Sequence, residues 1–151
     1  MNRMQRDVAI FNAGIDTPRG DTPEIRAGEL RARLILEEAF ETVEAMLGFD
    51  VAFELVKDEK DKWLDKSDEA TISEPSLVEA VDGLTDLLYV TFGAFDTFGV
   101  DADDPFDLVH AANMTKIRAG KDENGKQRKP DGFVPPQEQI RALLVRLGAK
   151  L

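Results

Sequence analysis

The stretch from Leu77 to Phe98 constrains the fold most. Leu84, Leu87, Leu88, Val90 and Phe95 make it apolar on most sides, the pattern of a helix buried all round. Its β-branched and aromatic residues would also suit a strand, but at about twenty residues it is too long, since strands run ~3–10. Ser76, followed three residues on by Glu79, matches a capping box at its start, and Gly99 is a stop signal. The segment is expected to be the central, most buried helix. Yet Asp82 and Asp86 interrupt its apolar run, and charged side chains are rarely buried unless paired or metal-bound.

The rest of the chain is punctuated as further helices. Residues 4–13, through Met4, Val8, Ile10 and Phe11, read as a short helix ending at Gly14. Pro18 and Gly20 mark a loop over 16–21. Thr22 as cap, Pro23 in the first turn and Glu24 at the positive end of the dipole open a long helix. It runs over Ile25 to Leu47, with Leu30, Leu34 and Ala45 at helical spacing and Gly48 as its stop. Residues 49–75 are expected to be a helical insertion or mobile flap, with Phe49, Phe53, Val56 and Trp63 along one face. Asp104 as cap and Pro105 at the first helical position start a helix through Ile117. Residues 119–136 read as loop, with turn chemistry at Asn124-Gly125 and Asp131-Gly132 and a small hairpin at the first. Gln137 to Leu147 is the last helix, placing Ile140, Leu143, Leu144 and Leu147 together. Four to five helices with weak strand signals give an all-α fold, a helical bundle. The length, 151 residues, fits a single domain over 1–151.

Charge narrows the partners. With 19 basic and 30 acidic residues the net charge is −11. Such a surface repels nucleic-acid backbones and anionic membranes, so neither is an expected partner. No stretch approaches the ~18–20 apolar residues of a membrane span, and Met1 to Ile10 lacks the apolar core of a signal peptide. A cytoplasmic location is the expectation. There is no cysteine, which excludes disulfides, zinc–thiolate sites and cysteine nucleophiles. One histidine, His110, rules out a His-rich metal site within the chain. If the ligand is an anion, something positive must bridge it to this protein.

The acids supply that bridge. Glu37, Glu41 and Glu44 fall within about 60° of helix surface, with Glu38 beside them. Glu79, Asp82 and Asp86 are spaced by three and four and share a face in the same way. Two unit charges ~4 Å apart cost ~4 kcal/mol at an effective dielectric of 20. Carboxylates from two helices facing one another therefore need a counter-ion, and Mg²⁺, which prefers oxygen ligands and keeps several waters, is the natural one. Mg²⁺ also lets an acidic protein grip a polyphosphate. The blander reading is that glutamate-rich faces are simply solvated. It fits Glu37 and Glu44, and Glu79 may only complete its capping box. Asp82 and Asp86 resist it because of their apolar neighbours.

These motifs resemble a known group. Glu37-Glu38-Ala39-Phe40-Glu41, then Asp86-Leu87-Leu88-Tyr89-Val90, resemble the all-α NTP pyrophosphatase superfamily, which includes MazG proteins, dimeric dUTPases and phosphoribosyl-ATP pyrophosphatases. Val109 to Lys116, followed by Gly125-Lys126 and Lys129-Pro130-Asp131-Gly132-Phe133, are similar to the MazG-like type. The likeness covers roughly residues 25–136. It implies a MazG-like bundle completed by oligomerisation as a homodimer or homotetramer. It also implies a Mg²⁺ site (Mn²⁺ a possible substitute) from E-x-x-E on one helix and E-x-x-D on the next. Glu38 and Glu41 match the first pair, with Glu37 as an outer ligand. Asp86 matches the last acid, but the position three before it is Gly83, so Asp82 is the nearest substitute. A shifted register would use Glu79 with Asp82. The resemblance further implies that Asn113 and Lys116 reach phosphates or sugar, that Lys129 adds a phosphate contact, and that Tyr89 can offer its hydroxyl. His110 is expected to pack or cap, and Phe11 and Asn12 to touch the base.

The expected function is Mg²⁺-dependent hydrolysis of nucleoside triphosphates to monophosphate and pyrophosphate, of a house-cleaning or dUTP-directed kind, with Glu37 or Glu38 as general base. Two rivals stand beside it. One is a phosphoribosyl-ATP pyrophosphatase using the same acids. The other is a catalytically silent helical interaction module, for which Gly83 is the best argument.

Overall fold

A computed structural model of the protein describes residues 2–17, 24–25, 27–67, 75–123 and 125–151, and the side chains of all of these except 62–67. Six helices follow one another among them: α1 (Arg3–Gly14), α2 (Gly28–Leu47), α3 (Phe49–Ser67), α4 (Leu77–Phe98), α5 (Asp103–Met114) and α6 (Gln137–Arg146). The only β pairing among the described residues is an isolated antiparallel bridge between Lys121 and Gln127. The protein is all-α, as predicted. It has one helix more than the four or five expected because 49–67 is a full helix. The chain divides into two compact units, Met1–Pro23 with Val78–Leu151, and Glu24–Leu77.

In the second unit α2 packs on α3. Gly48 joins them at φ 77°, a left-handed conformation that suits glycine because it has no Cβ. Its N–H closes α2 on the Glu44 carbonyl, and its own carbonyl accepts from the Ala52 N–H that opens α3. Ala52 is buried, and its small side chain lets the helices approach. Phe49 and Phe53 stack with centroids 6.2 Å apart, and Val56 beside them is half-buried. Trp63, expected on the same face, lies outside the described side chains. The start of α2 departs from expectation. Glu24 and Ile25 precede the helix, which begins at Gly28 behind Ala27 in the left-handed conformation at φ 49°. That backbone break ends helical continuity upstream. Thr22 and Pro23, the expected start signals, lie outside the described residues.

In the first unit α1 packs on α5 and α5 on α6. Asn2 caps α1, its Oδ1 accepting from the Gln5 N–H at 2.8 Å. Arg3 donates to Asp103 at 2.8 Å and to Asp107, and its guanidinium lies 5.9 Å over the Phe106 ring. The hydrogen bonds to Asp107 and Asp103 hold it above the ordinary arginine pKa. At the far end of α1, a Cβ on Gly14 would come within 2.8 Å of Ile117 Cδ1, so glycine permits the close approach. Leu143 of α6 is 4% exposed and anchors that helix.

The α5 boundaries also shift. Ala102, not Asp104, stands at its N-cap and makes no side-chain cap bond; one residue earlier, the Asp101 carboxylate accepts from the Asp103 N–H at 3.0 Å. Asp104 stands instead in the first turn, 3.8 Å from Arg146. Pro105 is buried in that turn, where its missing N–H has no helical partner to lose. The helix ends at Met114 rather than Ile117, passing into turns over 115–118. The small hairpin expected near 124–125 is present as the Lys121–Gln127 bridge. It is reinforced by Arg128 N–H donating to Gly120 O (2.9 Å) and Asp122 N–H to Lys126 O (2.9 Å). Asn124 itself is outside the described residues.

α4 corrects the largest expectation. Predicted to be the most buried helix, it has no buried residue; Val78 is 75% and Tyr89 80% exposed. Within its unit it packs against none of α1, α5 and α6 among the described residues. Hydropathy states that this helix needs cover, and its own unit does not supply it. No helix among the described residues is long and apolar enough to cross a membrane.

Candidate active site

Each unit carries one stripe of acids. On α2, Glu38, Glu41 and Glu44 are exposed and Glu37 is half-buried. Two turns earlier on the same helix Glu29 is matched by Arg33 at 2.8 Å. The contrast is chemical: the chain has no Lys or Arg from Leu34 to Val56. On α4, Glu79, Asp82 and Asp86 are exposed, and no Lys or Arg occurs from Ser67 to Thr115. Among the described residues, the carboxylates of Glu38, Glu41, Asp82 and Asp86 have no ion pair or hydrogen bond. Residues three and four apart on a helix repel when alike in charge, by ~0.2–0.5 kcal/mol per pair. Glu38 and Glu41 on α2, and Asp82 and Asp86 on α4, therefore carry negative charge that no ion pair among the described residues relieves.

Neither stripe is a metal site alone: within neither unit do three or more Asp, Glu or His side chains gather closely enough to hold an ion, among the described residues. The donor chemistry nevertheless suits Mg²⁺. Every candidate ligand is a carboxylate oxygen reachable from solvent, the hard donor that ion prefers. At Gly83, where the resemblance expects a glutamate, a Cβ would meet nothing within 4 Å. Lack of room does not explain the glycine. Tyr89 lies one turn beyond Asp86 on the same side of α4, with its side chain in the open.

The first unit also holds a cationic cluster. Asn113 ends α5, and Lys116 lies just beyond it. Lys116 Nζ donates to Asn113 Oδ1 at 2.7 Å and lies 5.1 Å from the centre of the Phe133 ring. Lys129 Nζ lies 5.6 Å from that same centre. The loop is held in place locally: Gln127 Nε2 donates to the Lys116 carbonyl at 2.7 Å. Gly132 at φ 73° and a 3.1 Å bond from Phe133 N–H to Pro130 O then turn the ring back. Two ammonium groups repel by only ~1 kcal/mol at 4 Å in bulk water. Contacts to a ring face, at ~0.5–1 kcal/mol each in exposed settings, offset that.

Three of the four expected substrate-contacting residues, Asn113, Lys116 and Lys129, thus stand together, with Tyr89 on α4. Sequence reasoning gave no role to Phe133 and Gln127, although Phe133 closes the Lys129-Pro130-Asp131-Gly132-Phe133 motif. His110 stacks on Phe106 with ring planes 6° apart, the packing role expected of it. Phe11 and Asn12 are half-buried on α1.

The model of the phosphoribosyl-ATP pyrophosphohydrolase family matches residues 9–113, a span holding both acid stripes and Asn113. In three dimensions the chain is similar to the crystal structure of a candidate NTP pyrophosphohydrolase from Exiguobacterium sp. 255-15. The TM-score is 0.78 at 31% identity, over 97% of this chain and 96% of that one. No curated protein matches in sequence. The chain is a pyrophosphate-releasing hydrolase, and the reading as a silent module falls. By the extent of that match, it belongs to the phosphoribosyl-ATP pyrophosphohydrolase family, within the all-α NTP pyrophosphatase superfamily.

Proposed function

We propose that the enzyme is a Mg²⁺-dependent nucleoside triphosphate pyrophosphohydrolase that converts (d)NTP and water to (d)NMP and pyrophosphate. The observation that carries this reading is the pair of acid stripes on α2 and α4, each set in a long segment free of Lys and Arg. An enzyme that binds a polyphosphate through such surfaces needs a divalent cation. Glu38, Glu41, Asp82 and Asp86 would hold it, with Glu37 and Glu79 as further ligands. Bound there, Mg²⁺ (or Mn²⁺) would neutralise the triphosphate and make water more acidic.

The protein's own groups do the rest. Glu37 or Glu38 takes a proton from the water whose oxygen attacks the α-phosphorus. The α–β anhydride bond breaks, and pyrophosphate leaves with the bonding pair. Lys116 and Lys129 meet the charge that develops on it. Asn113 and the Tyr89 hydroxyl hydrogen-bond the phosphates or sugar, and Phe11 and Asn12 border the base. The working form is a homodimer or homotetramer, cytoplasmic, in which a second copy covers α4.

A second reading, phosphoribosyl-ATP as substrate, is favoured by the name of the matching family and would use the same acids. One screen tests both. Pyrophosphate release is measured across NTPs, dNTPs and phosphoribosyl-ATP with Mg²⁺ or Mn²⁺. Turnover of at least one nucleoside triphosphate in preference to phosphoribosyl-ATP is the expected result; the reverse preference selects the second reading. Asp86→Asn should lower turnover by ~10²-fold or more, the scale on which one preorganised charge-stabilising group acts, while keeping its helical circular dichroism. Unchanged turnover would remove Asp86 from the site.

A further inference from the structure

The two lysines assigned to phosphate are thirteen positions apart, at 116 and 129, and no helix holds them in register. What they share is one ring. We propose that Phe133 is a positioning residue that gathers Lys116 and Lys129 into a single polyphosphate-recognising pair, with Gln127 fastening the loop that delivers it. The proposal rests on reading these lysines as phosphate contacts.

Three observations support it. Both ammonium groups lie within cation–π range of the same ring centre, at 5.1 and 5.6 Å. The ring is half-buried, while Lys129 is exposed. The loop between the lysines is closed by its own bridge at Lys121–Gln127 and tied to the end of α5 through the Gln127–Lys116 carbonyl bond. An aromatic face attracts cations through its quadrupole, so the ring concentrates positive charge in a protein whose net charge is −11. Ordering two flexible lysines before the ligand arrives reduces the entropy lost on binding. A leucine at 133 would keep the apolar contact and lose the quadrupole; a tyrosine would keep both.

The test uses the full chain with Mg²⁺ and inorganic tripolyphosphate as probe, so that no base or turnover is needed. Binding is measured by calorimetry for wild type, Phe133→Leu, Phe133→Tyr, Lys129→Gln and the Phe133→Leu/Lys129→Gln pair, with helix content checked by circular dichroism. Phe133→Leu should weaken binding about fivefold, one cation–π contact converted to affinity. Phe133→Tyr should bind like wild type. The double variant should lose less than the product of the two single losses, because both changes break one contact. Binding by Phe133→Leu equal to wild type, equal loss in Leu and Tyr variants, or strictly multiplicative losses would each overturn the proposal. Wild type that binds tripolyphosphate with this pattern yet releases no pyrophosphate from any nucleoside triphosphate would keep the Phe133-positioned pair and sink the proposed triphosphate activity.

Discussion

At the scale of single residues, Gly83 is the most instructive position. It sits inside α4, where glycine costs ~0.5–1 kcal/mol relative to alanine, and a side chain there would meet open space. A glutamate would complete E-x-x-D with Asp86 but would add like charge near Glu79 and Asp86, at ~0.2–0.5 kcal/mol per helical pair. Gly83→Glu should therefore change thermal stability little without metal. With millimolar Mg²⁺ it should gain more stability than wild type does and reach half-maximal turnover at lower Mg²⁺. Melting curves and a Mg²⁺ titration of pyrophosphate release decide this; an unaltered Mg²⁺ dependence would place position 83 away from the metal. The acids themselves were legible in sequence, because spacing alone puts Glu38 with Glu41 and Asp82 with Asp86 on shared helix faces. The part played by Phe133 was not. It depends on a loop bringing positions 116, 129 and 133 around one ring, and no helical or strand period encodes that.

At the scale of elements, the helices were legible where their signals are local. Proline in a first turn gave α5, and apolar spacing gave α6 to within a residue of its end. Signals failed where backbone conformation overrode side-chain preference: left-handed Ala27 sets the start of α2, and Ala102 rather than Asp104 stands at the N-cap of α5. The packing of α6 on α5 rests on Leu143, the one buried side chain of α6. Leu143→Ala should cost about 2–5 kcal/mol. For a chain of this length each kcal/mol lowers Tm by ~2–4 °C. Thermal unfolding followed by circular dichroism measures the loss. Val145→Ala on the same helix, at an exposed position, should leave Tm within the small range typical of surface changes. Equal losses in both variants would show that α6 is not held through Leu143.

At the scale of the whole molecule, the unanswered demand is the apolar surface of α4. Val81, Leu84 and Leu88 are spaced by three and four, so they form one stripe, and each is about half exposed or more. By helical geometry that stripe lies on roughly the opposite side of α4 from Asp82 and Asp86. One face thus asks for apolar cover while the other keeps its acids available. Covering a leucine fully is worth ~1.5–3 kcal/mol, and specific interfaces bury ~1,200–2,000 Å². In the oligomer proposed above, a second copy of the chain would meet that need with a self-complementary patch, the usual solution in symmetric oligomers. Wild type should sediment as a dimer or tetramer at micromolar concentration. Leu84→Lys combined with Leu88→Lys should shift it toward monomer, since a lysine at such an interface loses hydration without gaining a partner. The same variant should melt at lower temperature and release less pyrophosphate, although neither change touches an acid. Its remaining activity should rise with protein concentration as copies are driven back together. Wild type sedimenting as a monomer would refute this, and so would a monomeric variant with full turnover: α4 would then owe its exposed leucines to something other than assembly.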